Sequence, residues 1–105
     1  MPEQEREFTG FIWDAAKSER CYQERGFDFE YAAALFEGDY IEWEDRRRKY
    51  GEQRLVTVGQ VQRLTMVVVW TPRDNLRRII SARPASRAER EKLYAARKAH
   101  KSGDP

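Results

Sequence analysis

Histidine and cysteine are almost missing from this chain, which has one of each, His100 and Cys21, in 105 residues. A lone cysteine excludes an internal disulfide and a cysteine metal site, and His100 beside it makes no ligand cluster, so no metal and no other cofactor is expected. A Ser-His-Asp arrangement would have to recruit His100 from close to the chain end. The sequence has no glycine-rich phosphate loop, no HExxH and no nucleophile elbow. Long apolar runs are missing too. The longest, Met66 to Trp70, is far too short to span a bilayer, and the opening Met1-Pro2-Glu3-Gln4-Glu5-Arg6-Glu7 lacks the basic start and apolar stretch of a signal peptide. A cytoplasmic chain without membrane contact is expected.

What is present is charge. The charged fraction is 36% against a modest hydrophobic 40%, and a chain of this length buries roughly 60 to 70% of its unfolded surface as one domain. Residues 1–105 are read as that single domain, with 1–7 and 98–105 frayed. The net charge of +2 conceals a division: residues 1–45 hold 13 acidic and 4 basic side chains, residues 46–105 hold 5 acidic and 16 basic ones. One reading is mutual neutralisation within the fold. The other is an anionic partner for the second half, nucleic acid or an acidic protein, because sixteen cations exceed what the nearby acids can pair.

Local patterns order the elements. Phe8 to Trp13 alternates weakly and predicts a short edge strand; Asp14 is a good N-cap for a helix from Ala15 to Arg25 that Gly26 ends. Asp28 caps a second helix, whose Phe29, Ala32, Ala33 and Phe36 form a stripe at i, i+3, i+4 and i+7 and which stops at Gly38. Tyr40 to Glu44 predicts a strand and Asp45 to Gly51 a charged loop. Strand pattern resumes from Glu52, with a turn expected over 59–63. Thr65 to Thr71 predicts a central strand, 72–75 a turn, and 76–82 a last strand. Pro84 stops that ladder, and Ser86 followed by Glu89 spells a capping box opening a terminal helix. The whole predicts an α+β fold: a mostly antiparallel sheet of about four to five strands, an N-terminal helical hairpin and a C-terminal helix.

The residues with chemical promise are a carboxylate and arginines. Glu52 and Arg54 lie two apart, and the meander can bring Arg78 or Arg83 beside them. Cleavage of RNA by its own 2′-hydroxyl needs a base there, cationic donors on the phosphate oxygens and an acid for the leaving oxygen. Arginine suits the phosphate because its fork binds two oxygens at once. A structural ion pair on the sheet, Glu52 with Arg54 or with Arg78, explains these residues at least as well. Simple alternation puts Arg78 and Arg83 on opposite faces, so both serve one site only if the strand twists or ends before Pro84. Tyr50, Trp70 and Tyr94 can stack on bases or fill core. Phosphate contacts are expected from Arg46, Arg47, Arg48 and Lys49 and from Arg87 and Arg90.

Phe11-Ile12-Trp13-Asp14 with Lys17, Gly26 and Phe29 before Ala32-Ala33, then Asp45, Tyr50-Gly51-Glu52-Gln53-Arg54 and the run from Arg78 to Arg87 together resemble the BrnT family of bacterial toxins. The resemblance extends from about Phe11 to Tyr94. It implies a RelE-like ribonuclease toxin of a type II toxin–antitoxin system, neutralised by a BrnA-like antitoxin that supplies the DNA-binding part, with growth arrest by RNA cleavage. On that reading Glu52, Arg54, Arg78 and Arg83 are the catalytic set, and Trp13, Lys17 and Tyr50 join the RNA-binding cations. Where the family often has Asn and a Lys-His pair in the first helix, this chain has Cys21 and Glu24-Arg25. The alternative is an inactive relative that only binds its partner and regulates transcription with it.

Overall fold

The computed structural model of the chain describes residues 7–102, with side chains as far as Ala99. Strand β1 (Gly10–Trp13) leads into helix α1 (Ala15–Arg25), helix α2 (Phe29–Ala33) and a single 3-10 turn (Ala34–Glu37). Strands β2 (Tyr40–Glu44), β3 (Leu55–Val61), β4 (Leu64–Arg73) and β5 (Leu76–Pro84) follow, and helix α3 (Arg87–Ser102) closes the chain. Of the fraying expected at the ends, residues 1–6 and 103–105 lie outside the described residues, while α3 runs through to Ser102.

The caps fall where the side chains demand them. Asp14 accepts the Lys17 N–H at 3.0 Å and Asp28 accepts the Tyr31 N–H at 2.8 Å, each quenching a first-turn donor. Gly26 ends α1 in the left-handed region at φ 85°, its N–H bonded to the Tyr22 carbonyl at 2.9 Å. Ser86 and Glu89 form the capping box: the Ser86 N–H donates to Glu89 Oε1 at 2.8 Å and the Glu89 N–H to Ser86 Oγ at 3.2 Å.

The sheet is five-stranded and mixed, in the order β1-β5-β4-β3-β2. Strands β2 to β5 pair antiparallel in sequence, and β1 joins β5 parallel with Ile12 beside Arg78. α1, α2 and the 3-10 turn, through Leu35 among others, cover one face over Met66, Val68, Trp70, Ile79 and Ala82. α3 lies on the other, where Leu93 packs on Val56, Val58 and Val67. Trp70, 1% exposed, anchors the first layer, and its indole N–H donates to Thr57 Oγ1 at 2.8 Å. Burying each such large side chain contributes about 1.5–3 kcal/mol.

Several boundaries differ from the sequence reading: β1 starts at Gly10, β5 runs on through Pro84, and the second helix gives way to the 3-10 turn after Ala33. β3 starts at Leu55, so Glu52 and Arg54 belong to the preceding loop, which ties back to β2 through the Asp45 N–H and the Arg54 carbonyl at 2.8 Å. The turn expected over 59–63 shrinks to Gln62 and Arg63, with Gln62 at φ 56°. Gly59 lies within β3, paired with Met66 and Tyr40, and Leu35 packs so close there that a Cβ would sit 3.2 Å from Leu35 Cβ. Pro72 and Arg73 remain in β4: β3 has already ended opposite Trp70, so the missing Pro72 N–H costs little.

Candidate active site

The decisive local feature is a bulge in β5. Trp70 pairs with Ile79 and its neighbour Val69 with Ser81, leaving Ile80 as the extra residue. Ile79 and Ala82 therefore both enter the core under α1 although they lie three apart. Before the bulge Arg78 shares the face of its partner Thr71; after it Arg83 shares the face of its partner Val67. Thr71 and Val67 are four apart on an unbroken β4, so Arg78 and Arg83 stand on one face, roughly 13 Å apart along the strand. The face is the one α3 covers. Because α3 packs chiefly over β2 and β3, the part formed by Ile12, Val69, Arg78, Ser81 and Arg83 stays partly open.

Arg83 does not stand free. Its Nη1 and Nη2 donate to Glu89 Oε1 and Oε2, both at 2.8 Å. The Arg83 hydrogen bonds pull the Glu89 carboxyl down to about 2, outweighing partial burial, and Glu89 in turn raises the Arg83 pKa. Arg47 lies near enough that its charge opposes that of Arg83. Arg78 makes no hydrogen bond or ion pair among the described residues, although it acts on the Asp14 carboxylate from nearby.

The loop between β2 and β3 is organised by Asp45, whose side chain is 3% exposed. It accepts Arg47 Nε and Nη2 at 2.9 Å each, the Arg47 N–H at 3.2 Å and the Tyr50 hydroxyl at 3.0 Å. Those bonds, the Arg47 guanidinium foremost, hold the Asp45 carboxyl far below the ordinary carboxylate range despite burial. Tyr50, thus fixed, carries the Arg54 guanidinium 4.1 Å above its ring. Glu52 Oε2 approaches Arg54 Nε to 3.5 Å, an ion-pair distance without hydrogen-bond alignment, so the buried Nε keeps no hydrogen-bond partner. Among the described residues no bond joins Glu52 to Arg78 or Arg83.

The remaining predicted contacts divide. Arg48 and Lys49 are exposed and, among the described residues, unpaired at the loop tip, whereas Arg46 pairs with Glu44 at 3.1 Å. Arg87 is exposed and pairs with Glu91 at 3.2 Å, a surface pair of little energy; Arg90 donates to the Ala85 carbonyl at 3.0 Å. Lys17 is exposed on α1. Trp13 sets its ring edge-on to Phe29 in the helix-side core, and Trp70 is core as well. Tyr94, half exposed, flanks β2. Sequence reasoning missed the anchoring by Asp45 and the Arg83–Glu89 pair. Ile79-Ile80, two apolar residues where alternation wants one, was the available trace of the bulge.

The sequence model of a family described as the ribonuclease toxin BrnT of type II toxin–antitoxin systems matches residues 13–89. This chain belongs to the BrnT family. No curated protein matches the sequence. The matched stretch contains β1's last residue, the Asp45 loop, the whole sheet from β2 to β5 and the capping box up to Glu89, hence all four arginine and carboxylate candidates. A BrnT toxin of a type II system has an antitoxin partner. Among the described residues no three His, Cys, Asp or Glu side chains gather as a metal site, and no helix is long and apolar enough to cross a membrane.

Proposed function

We propose that this BrnT-family chain is a metal-independent endoribonuclease that arrests growth in the cytoplasm until a BrnA-like antitoxin covers it. The observation that carries the reading is the placement of Arg78 and Arg83 on one partly open sheet face by the β5 bulge, with Arg47 close to Arg83. Glu52 takes the proton from a ribose 2′-hydroxyl; the 2′-oxygen attacks phosphorus, the bond from phosphorus to the 5′-oxygen breaks, and that oxygen takes up a proton from solvent water. Arg54, Arg78 and Arg83 receive the charge that grows on the phosphate oxygens, as forked donors do best. The products are a 2′,3′-cyclic phosphate and a 5′-hydroxyl. DNA is reached only through the antitoxin, whose acidic or apolar residues neutralise the basic face. The same reading takes the fold as RelE-like, as the family resemblance implies.

The test is induction of the chain alone and with the neighbouring gene product, together with cleavage of RNA by purified chain in the presence of a chelator. Growth arrest, rescue, and fragments ending in cyclic phosphate are expected. Harmless accumulation of the folded chain would refute it. One observation favours the second reading, an inactive partner-binding module: both candidate ends are internally paired, Glu52 with Arg54 and Arg83 with Glu89.

A further inference from the structure

Beside the bulge, α1 and a bare length of β5 enclose a shallow cavity of about 240 Å³, of whose lining residues only Lys17 has been given a part in RNA binding. β1 ends against Ile79, so beyond it that edge of β5 has no neighbouring strand among the described residues. α1 lies along the gap instead. Lys17, Cys21 and Arg25 recur every four residues, and Arg20 and Glu24 fall between them, so one face of α1 lines the cavity opposite Ser81.

That wall has three cations and one acid. Among the described residues the side chains of Lys17 and Arg20 make no ion pair or hydrogen bond, although the Lys17 charge acts on the Asp14 carboxylate from nearby. Arg25 is aimed: its Nη1 donates to the Ala82 carbonyl at 3.2 Å, which pins the guanidinium at the cavity while leaving its other donors. The Cys21 thiol donates to the same carbonyl at 3.5 Å, and burial pushes it up, so it adds no negative charge. Asp14 and Asp28 cap their helices with one carboxylate oxygen each and keep their negative charge. Asp28, like Glu24, acts on the Cys21 thiol and Asp14 on Lys17, so the three cations are partly offset. A pocket of this size is smaller than the usual 300–1,000 Å³ of drug-sized ligand sites, and its lining favours a compact anion.

Position decides between anions. The cavity wall includes Ser81, which lies between Arg78 and Arg83 in β5, so a strand lying on the arginine face reaches Lys17, Arg20 and Arg25 by crossing the bare edge. We propose that this cavity is a second phosphate subsite, taking a backbone phosphate of single-stranded RNA next to the one held at the arginine face. The inference rests on the RNA reading above. Phosphate contacts of this kind set affinity and register without reading bases.

The probe is a fully 2′-O-methylated oligoribonucleotide, which binds but offers no 2′-hydroxyl for cleavage, titrated against full-length chain over a range of salt. K17Q, R20Q and R25Q remove charge, and glutamine at position 25 keeps a donor for Ala82; thermal melting certifies folding. Each single substitution should lower the slope of log affinity against log salt by about 0.7, and the triple variant should bind several-fold more weakly at low salt. Cleavage of unmodified RNA by the parent is scored separately. A parent that binds but does not cleave, with slopes that fall in the variants, upholds the subsite and refutes the nuclease. A parent that cleaves, with unchanged slopes in all folded variants, overturns the subsite and leaves the nuclease standing. Loss of antitoxin binding without loss of probe binding also overturns it, assigning the cavity to a protein.

Discussion

Arg83 closes a two-pronged ion pair on Glu89, and Glu89 is at the same time the acidic member of the capping box that starts α3. One carboxylate thus couples the end of β5, the first turn of the last helix and the best-placed cation of the site. For Arg83 to bind a phosphate it must share or surrender that grip. The helix start holds Arg83 in position while also competing for it.

Removing the grip should have opposite effects on folding and on RNA. Glu89→Gln keeps a capping group but loses the charge, and Ser86→Ala loses the cap itself at a cost of about 1 kcal/mol. E89Q is expected to melt lower than the parent yet to bind a 2′-O-methylated RNA more tightly, because Arg83 no longer has an anion of its own. Titration with calorimetric melting separates the two. Weaker RNA binding in a folded E89Q would mean that the pair orients Arg83 for RNA rather than competing for it.

The same pair has a pH signature. The Glu89 carboxyl is depressed from 4.5 to about 2 in the folded chain, so its contribution to stability is complete above the unfolded value and drains away as pH falls from about 4.5 toward 2. The buried Asp45 carboxyl, depressed as well, adds to the loss at the acid end. Melting temperature should therefore be level near neutrality and fall through that window. The fall should be shallower in E89Q, and equal slopes in parent and variant would separate the pair from acid stability.

Much of this was legible in the sequence because the signals were local. Asp14, Asp28 and Ser86 with Glu89 marked three helix starts, Gly26 marked one helix end, and β2 followed its alternation residue for residue. What stayed hidden depended on pairing across the sheet. The doubled Ile79-Ile80 is a trace of the bulge but does not fix it at Ile80, and without it Arg78 and Arg83 point to opposite faces. Glu52 and Arg54 read as strand because their spacing is that of a strand; the Asp45 N–H, bonding the Arg54 carbonyl from just past β2, shows that the loop closes before the ladder to β4 begins. Asp45 itself looked like one charge among many, since burial is a property of the neighbours.

Asp45 provides the next test. With Arg47 and Tyr50 both bonded to it, D45A leaves the loop that carries Glu52 and Arg54 without its anchor. Amide exchange over residues 46–53 should rise well above that of the β3–β4 ladder, with cleavage falling more than thermal stability. D45N should be intermediate, retaining acceptance from Tyr50 but losing the charge that holds Arg47. If exchange in the loop stays at parental levels in D45A, the Tyr50 and Arg54 stack is holding it by itself.

Arg48 and Lys49 provide a contrast within the same loop, being exposed and, among the described residues, unpaired. Replacing either by glutamine should lower the salt slope of RNA affinity by about 0.7 without moving the cleavage pattern, because an unanchored cation contacts phosphate and reads no base. Association with the antitoxin should slow as salt rises, since segregated charge steers encounter. An on-rate that is flat with ionic strength would assign the blockade to shape alone.

The sharpest expectation concerns the proposed catalytic set. Losing one preorganised charge stabiliser typically costs about 10² to 10³ in rate. Arg83→Ala and Glu52→Gln are each expected to abolish growth arrest on induction while preserving antitoxin pull-down. Cys21→Ser should remain toxic, since a serine hydroxyl can donate to the Ala82 carbonyl that the thiol now bonds. R83A also forfeits the pair with Glu89, so its melting temperature must be read beside its toxicity, and R83K serves as the control that keeps a cation while losing the fork. A folded R83A that still arrests growth as the parent does would move the phosphate to Arg78 and Arg54. Those two lie level with each other across β4, Arg78 beside Thr71 and Arg54 immediately before the residue that pairs with Trp70.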